Sequence, residues 1–95
     1  MDEIDARLAA LTARFVVQAE ELAIVIEAYL VRGAWDELMM PCHSLAGRAG
    51  MFGHAAIGDA ARAVEEAVGA GASPDEIRRL AAGLLDRLRR LRQER

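Results

Sequence analysis

The sequence predicts an all-α domain, an antiparallel four-helix bundle with an additional short N-terminal helix. Hydrophobic residues make up 54% of the chain, and most are Ala and Leu, which favour helix; β-branched and aromatic residues, which favour strands, are few by comparison. Apolar residues also recur every three or four positions, the period of one helix face. The length allows one hydrophobic core, so we expect a single domain over residues 1–95, too small for a catalytic domain with its own nucleotide site.

The N-terminal third of the chain, residues 3–32, carries a helical apolar pattern. Its main stripe consists of Ile4, Leu8, Leu11, Phe15, Leu22, Val25 and Tyr29. One long helix and two helices that bend near Gln18 both fit, and we favour a short first helix that runs into a longer second one. Further apolar residues make this second helix the expected most buried one of the bundle: Val16, Val17, Ala23, Ile24, Leu30 and Val31. Gly33 ends the segment.

A third helix is predicted from Ala34 to about Phe52. Its core stripe is formed by Leu38, Cys42, Leu45, Ala49 and Phe52. Pro41 removes one helix hydrogen bond and clashes with the preceding turn, so a kink or a late helix start is expected there. Gly53 then breaks the helix.

Two more helices complete the predicted bundle. The first runs from His54 to about Gly69, with an apolar stripe of Ile57, Ala61, Val64 and Val68. The last helix has a clear start signal, because Ser73 suits the N-cap, Pro74 the first helical position and Glu76 the third. Its apolar face consists of Ile77, Leu80, Ala81, Leu84, Leu88 and Leu91.

The charge distribution excludes some functions. The formal net charge is −3, which argues against nucleic acid as a partner. The Arg-rich tail, residues 78–95, is interpreted as a solvated helix face, with a partner-docking patch as the alternative. A single cysteine, Cys42, cannot form an intramolecular disulfide, and the first residues lack the features of a secretory signal. No apolar window is long enough to span a membrane, so we expect a cytoplasmic protein.

His43 is the residue predicted to carry chemistry. At 100° per residue, Leu45 lies about 200° away around the helix, so the imidazole is expected to face solvent. A neutral imidazole is available near neutral pH and can attack a phosphoryl group. The chain lacks a glycine-rich phosphate loop and a triad context. The neighbours of His43 on its own face form the predicted docking surface, namely Met39, Met40, Ala46, Gly47 and Gly50.

Other candidate site residues are weaker. His54 is interpreted as a surface residue. A metal site made of Cys42, His43 and His54 is disfavoured, because adjacent helical residues point about 100° apart and no further ligand is well spaced. Glu65 and Glu66 lie on the fourth segment, about where an antiparallel neighbour passes His43, and are candidates to orient its ring.

The run from His43 to Gly53, HSLAGRAGMFG, resembles the histidine-containing phosphotransfer domains. The resemblance implies that His43 is the phosphoacceptor, that Leu45 is the buried apolar residue beside it, and that Gly47 is the small residue one turn above. Phe52 and Gly53 correspond to the apolar-glycine end of the helix. The Gly33-Ala34-Trp35 turn and the helix order extend the resemblance across nearly the whole chain.

The resemblance also implies partners. Such domains are monomeric bundles that exchange a phosphoryl group with an aspartate on receiver domains and work with a hybrid histidine kinase in a bacterial two-component phosphorelay. They are phosphocarriers without autokinase activity, with no cofactor of their own and Mg²⁺ expected on the receiver. The family often has Lys where this chain has Ala46. Arg48 is a poor geometric substitute for this Lys, because it lies about 140° round the helix from His43, although its long side chain could reach back to orient the site. The alternative is a regulatory module of the same fold that docks on a kinase or receiver without accepting phosphate.

Overall fold

The computed structural model describes residues 2–93, and within that range it is a bundle of four α-helices. The helices are α1 (Glu3–Arg32), α2 (Met39–Met51), α3 (Ala55–Gly69) and α4 (Pro74–Gln93), with a 3-10 helix (Trp35–Leu38) before α2. Packing runs from α1 to α2, α2 to α3, α3 to α4 and α4 back to α1. The predicted all-α bundle is confirmed. None of the helices within residues 2–93 combines the length and apolar character needed to cross a membrane.

The first helix is continuous. The predicted division near Gln18 into a short and a long helix is wrong, because α1 extends over 30 residues without interruption. The Asp2 side chain accepts a hydrogen bond from the Asp5 backbone N–H at 2.9 Å and caps the N-terminus. Gly33, with φ of 67°, ends the helix in the left-handed conformation, which glycine adopts without steric cost.

The start of α2 bears out the prediction made from Pro41. The chain first forms the 3-10 helix, and α2 begins only at Met39. Pro41 therefore lies in the first turn, where backbone N–H groups have no partner within the helix, so its missing N–H costs little. The start of α4 is also as predicted, since Ser73 Oγ accepts a hydrogen bond from the Glu76 N–H at 3.2 Å.

The core lies between the inner faces of the four helices. Its largest fully buried side chains are Phe15, Ile26, Leu38, Leu45, Leu84, Val64 and Cys42. His54 differs from its prediction as a surface residue: it is half-buried, and its ring stacks on Phe15 with centroids 5.4 Å apart. Phe15 also stacks on Phe52, so α1, the end of α2 and the start of α3 meet in one aromatic cluster.

The most exposed helix is α1, although its second half was predicted to be the most buried segment. All residues from 2 to 14 are exposed, because this part extends beyond the other helices. Further along, Val17, Ile24 and Val31 are 46%, 70% and 83% exposed. The prediction failed because it assigned every apolar side of α1 to the core, whereas only one face packs on the bundle.

Candidate functional site

The imidazole of His43 is held on the outside of the bundle by α2. Its side chain is 75% exposed, whereas Leu45, two residues later, is fully buried. Cys42 and Ala49 are buried beside Leu45, so α2 has one face sealed in the core and one open to solvent. The predicted orientation of His43 is confirmed.

Glu65 on α3 contacts the ring of His43. Its Oε2 lies 2.6 Å from His43 Nδ1, and its side chain is 22% exposed. An ionised carboxylate can only accept a hydrogen bond, so Nδ1 must carry a proton and donate it. In a neutral ring Nε2 is then the nitrogen with a free lone pair. The contact therefore leaves Nε2 as the ring nitrogen with an available lone pair.

The other two orienting candidates do not contact His43. Glu66 is exposed, and the carboxylate that pairs with His43 is that of Glu65. The Arg48 guanidinium donates a hydrogen bond to Gln18 Oε1 on α1, on the other side of α2. Of the three candidates, the structure brings only Glu65 to the imidazole.

The close approach of α2 and α3 fixes this pairing. A Cβ placed on Gly58 would lie 3.2 Å from the carbonyl oxygen of Ala46, which is tighter than nine in ten real Cβ contacts, and 3.6 Å from the N of Gly50, an ordinary van der Waals contact. A side chain at this position would require the backbone of α2 to shift by a few tenths of an ångström relative to α3. Two helical turns after Gly58, Glu65 then comes to lie opposite His43. Gly58 is a site-forming residue that sequence reasoning missed, and a buried glycine within a helix was the available signal.

The surface beside His43 is open. Gly47 and Gly50 are exposed, and a Cβ at either position would have no atom within 4 Å outside its own helix. Packing within the protein therefore does not require these glycines, each of which costs about 1 kcal/mol relative to Ala in a helix interior. Met40 is 78% exposed, and Met39 is 36% exposed.

Ala46 is the exception among the predicted surface residues. It is only 6% exposed, and its carbonyl oxygen lies next to Gly58. The prediction that it belongs to the open surface is wrong, because α3 covers this side of α2. The position where the family often has Lys is thus enclosed between two helices in this chain.

Cys42, adjacent to His43, points into the core. Burial, together with the smaller effect of the negative charge of Glu65, raises the pKa of its thiol to about 12. The side chain is therefore a protonated apolar group at neutral pH. Within residues 2–93, no three His, Cys, Asp or Glu side chains are grouped as metal ligands would be.

The raised pKa of Cys42 predicts a loss of stability in alkali. The unfolded thiol ionises near its ordinary value of 9.0, whereas the folded thiol stays protonated to about 12. Between these values the unfolded state binds fewer protons, so the free energy of unfolding falls as pH rises, by up to about 1.4 kcal/mol per pH unit. Urea unfolding from pH 8 to pH 11 measures this slope, and Cys42→Ala provides the control. An equal slope in both proteins would contradict the assignment.

Comparison with known families identifies the family to which the chain belongs. Residues 10–94 match the Hpt domain family, and the chain therefore belongs to the Hpt domain family. Hpt domains take part in phosphotransfer in two-component signalling, where they interact with receiver and kinase partners. No curated protein and no solved structure matches the chain.

Proposed function

We propose that this protein shuttles a phosphoryl group between the aspartate of receiver domains and its own His43. The observation that carries the proposal is the exposed imidazole whose Nδ1 is held 2.6 Å from Glu65. This arrangement presents a single nucleophilic nitrogen on a rigid helix. The adjacent glycines leave room for a second protein to approach, and the surface formed by Met39, Met40, Gly47 and Gly50 is the proposed receiver-docking surface.

The transfer step follows from the proposed geometry. Nε2 of His43 attacks the phosphorus of the receiver's aspartyl phosphate, the new N–P bond forms, and the bond from phosphorus to the aspartate oxygen breaks. The aspartate leaves as a carboxylate, and the phosphorylated ring carries a positive charge while Nδ1 keeps its proton. The carboxylate of Glu65 offsets this charge, which favours the product of the forward step. In the reverse step the aspartate attacks and Nε2 regains its lone pair.

The partner supplies the remaining chemistry in this proposal. Mg²⁺ bound by the receiver stabilises the charge on the transferring phosphoryl group. The present chain contributes a positioned nucleophile. We also propose that it has no autokinase activity, because the 95 residues contain no Lys and no glycine-rich phosphate loop.

A docking module that does not accept phosphate is the second candidate function. The observation that favours it is the buried Ala46, which stands where the family often has Lys. A cation near the histidine would attract the phosphoryl group. Without it, docking could persist while transfer is slow.

Phosphotransfer profiling tests the two functions. The purified protein is incubated with radiolabelled phosphoreceivers and Mg²⁺, and receiver binding is measured in parallel by calorimetry. We expect at least one receiver to label the protein within seconds to minutes. Binding without labelling by any receiver would overturn the carrier function and support the docking module. Labelling by ATP alone would overturn the absence of autokinase activity.

Glu65 is the proposed positioning residue for this reaction. Replacing Glu65 by Ala is expected to lower the transfer rate by about ten- to a hundred-fold, because Nδ1 loses its acceptor and the positive ring loses its counter-charge. Stopped-flow transfer from a saturating phosphoreceiver gives the rate, and ¹⁵N NMR of the His43 ring gives the tautomer. Glu66→Ala is the matched control. A Glu65→Ala rate equal to that of the control, with an unchanged tautomer, would remove Glu65 from the mechanism.

A further inference from the structure

The outer side of α1 carries an apolar stripe that no other helix covers. We call it the back stripe, and its members share one line of the helix within about 40° at 100° per residue: Ala6, Ala10, Ala13, Val17, Ile24, Ala28 and Val31. All are exposed. The line lies about 160° to 180° from the buried residues Phe15, Ala19 and Ile26. The stripe therefore faces away from the core along most of α1.

Charged residues follow one edge of the back stripe. Arg14 and Glu21 lie about 40° to 60° from its centre on the same side. Neither forms an ion pair within the described part of the chain, residues 2–93. Exposed apolar surface flanked by charges is typical of protein interaction sites.

We propose that the back stripe binds the back stripe of a second copy of this chain, with the two α1 helices antiparallel. We place the two-fold axis between residues 17 and 18. Each residue is then level with the residue of the second copy for which the two residue numbers add up to 35. Residue 17 is then level with residue 18 of the second copy, so the two Val17 side chains lie on either side of the axis, one residue apart in height, and contact each other. Ile24 lies against Ala10 and Ala13 of the second copy, so a large side chain meets small ones on the facing helix.

The same register pairs the edge charges. In an antiparallel pair, residues on one edge meet residues on the same edge of the second helix. Arg14 is thus opposite Glu21 of the second copy, and the symmetry repeats the pair, giving two ion pairs. A parallel arrangement in register would instead bring Glu21 toward Glu20 of the second copy and cause repulsion. Charge complementarity therefore selects both the second copy as occupant and the antiparallel direction.

The dimer leaves the phosphotransfer site accessible. His43 lies on α2 and contacts α3, whereas the back stripe belongs to α1 alone. Each dimer would then carry two copies of His43, both accessible to a partner. This inference replaces the expectation of a monomer, and it does not depend on the proposed function.

Charge reversal provides the test. The wild-type protein is examined by analytical ultracentrifugation at low ionic strength, from about 1 μM to about 1 mM, a range that covers weak association. We expect the average mass to rise from 10.3 kDa toward twice that value. Arg14→Glu and Glu21→Arg should each weaken association by about tenfold or more, since each turns two attractive pairs into repulsive ones. Arg90→Glu is a charge-matched control on α4.

Mixing the variants separates this register from others. An equimolar mixture of Arg14→Glu and Glu21→Arg should associate as a heterodimer, and the double variant should associate with itself, because both restore opposite charges. Circular dichroism checks that every variant keeps its helical content. A wild-type protein that stays at 10.3 kDa throughout, or folded variants whose mixture does not associate, would overturn the proposal.

Discussion

Replacing His43 with glutamine is expected to abolish phosphoryl uptake, with no label detected above background. Glutamine keeps the length and polarity of the side chain, but its amide nitrogen has no free lone pair to attack phosphorus. His43 is 75% exposed, so the substitution should leave the core and the free energy of unfolding unchanged within about 0.5 kcal/mol. The loss would therefore be chemical, and receiver binding should persist.

His54→Gln is the matched control for this experiment, because the chain contains two histidines. It should retain labelling, since His54 stacks on Phe15 and takes no part in the proposed reaction. The label on the wild-type protein should be lost in acid and kept in alkali, because protonation of a phosphoramidate makes the ring nitrogen a good leaving group. Labelling that survives His43→Gln would place the acceptor elsewhere and end the proposal.

Replacing Leu45 with alanine is expected to cause the largest loss of stability near the site. Leu45 is fully buried on the core side of α2, and removing such a side chain costs about 2–5 kcal/mol through lost burial and the remaining cavity. For a domain of this size, about 3 kcal/mol corresponds to a fall in Tm of about 15 °C. Urea and thermal unfolding followed by circular dichroism measure both quantities.

Leu8→Ala makes the same chemical change at a position that is 55% exposed. It should cost less than about 1 kcal/mol, because little buried surface is lost. Equal effects of the two substitutions would mean that residues 3–14 of α1 pack against something in solution, or that α2 is rotated relative to the described structure.

The sequence predicted the elements in which local signals and the hydrophobic pattern agree. Ser73 and Pro74 marked the start of α4 because capping and fixed backbone geometry act within a single turn. Pro41 indicated the late start of α2 for the same reason. The exposure of His43 followed from the angular position of Leu45, since both belong to one rigid helix.

Features that depend on contacts between helices were harder to predict. Ala46 was assigned to the open surface because the sequence does not give the direction from which α3 approaches α2. Glu65 and Glu66 could not be separated, since the choice between neighbouring residues depends on the rotation of α3. Val17, Ile24 and Val31 of the back stripe were assigned to the most buried helix, because an apolar pattern does not say which of its sides packs on the bundle.

The pairing of His43 with Glu65 depends on the absence of a side chain at position 58. His43 and Glu65 lie on separate helices, and their distance is governed by the backbone approach of Gly58 to Ala46, which lies two helical turns from Glu65 and about one turn from His43. A peptide that contains α2 alone would carry the imidazole of His43 without the carboxylate that fixes its tautomer. A larger residue at position 58 should therefore leave the imidazole of His43 exposed to solvent, while its tautomer is no longer fixed by Glu65.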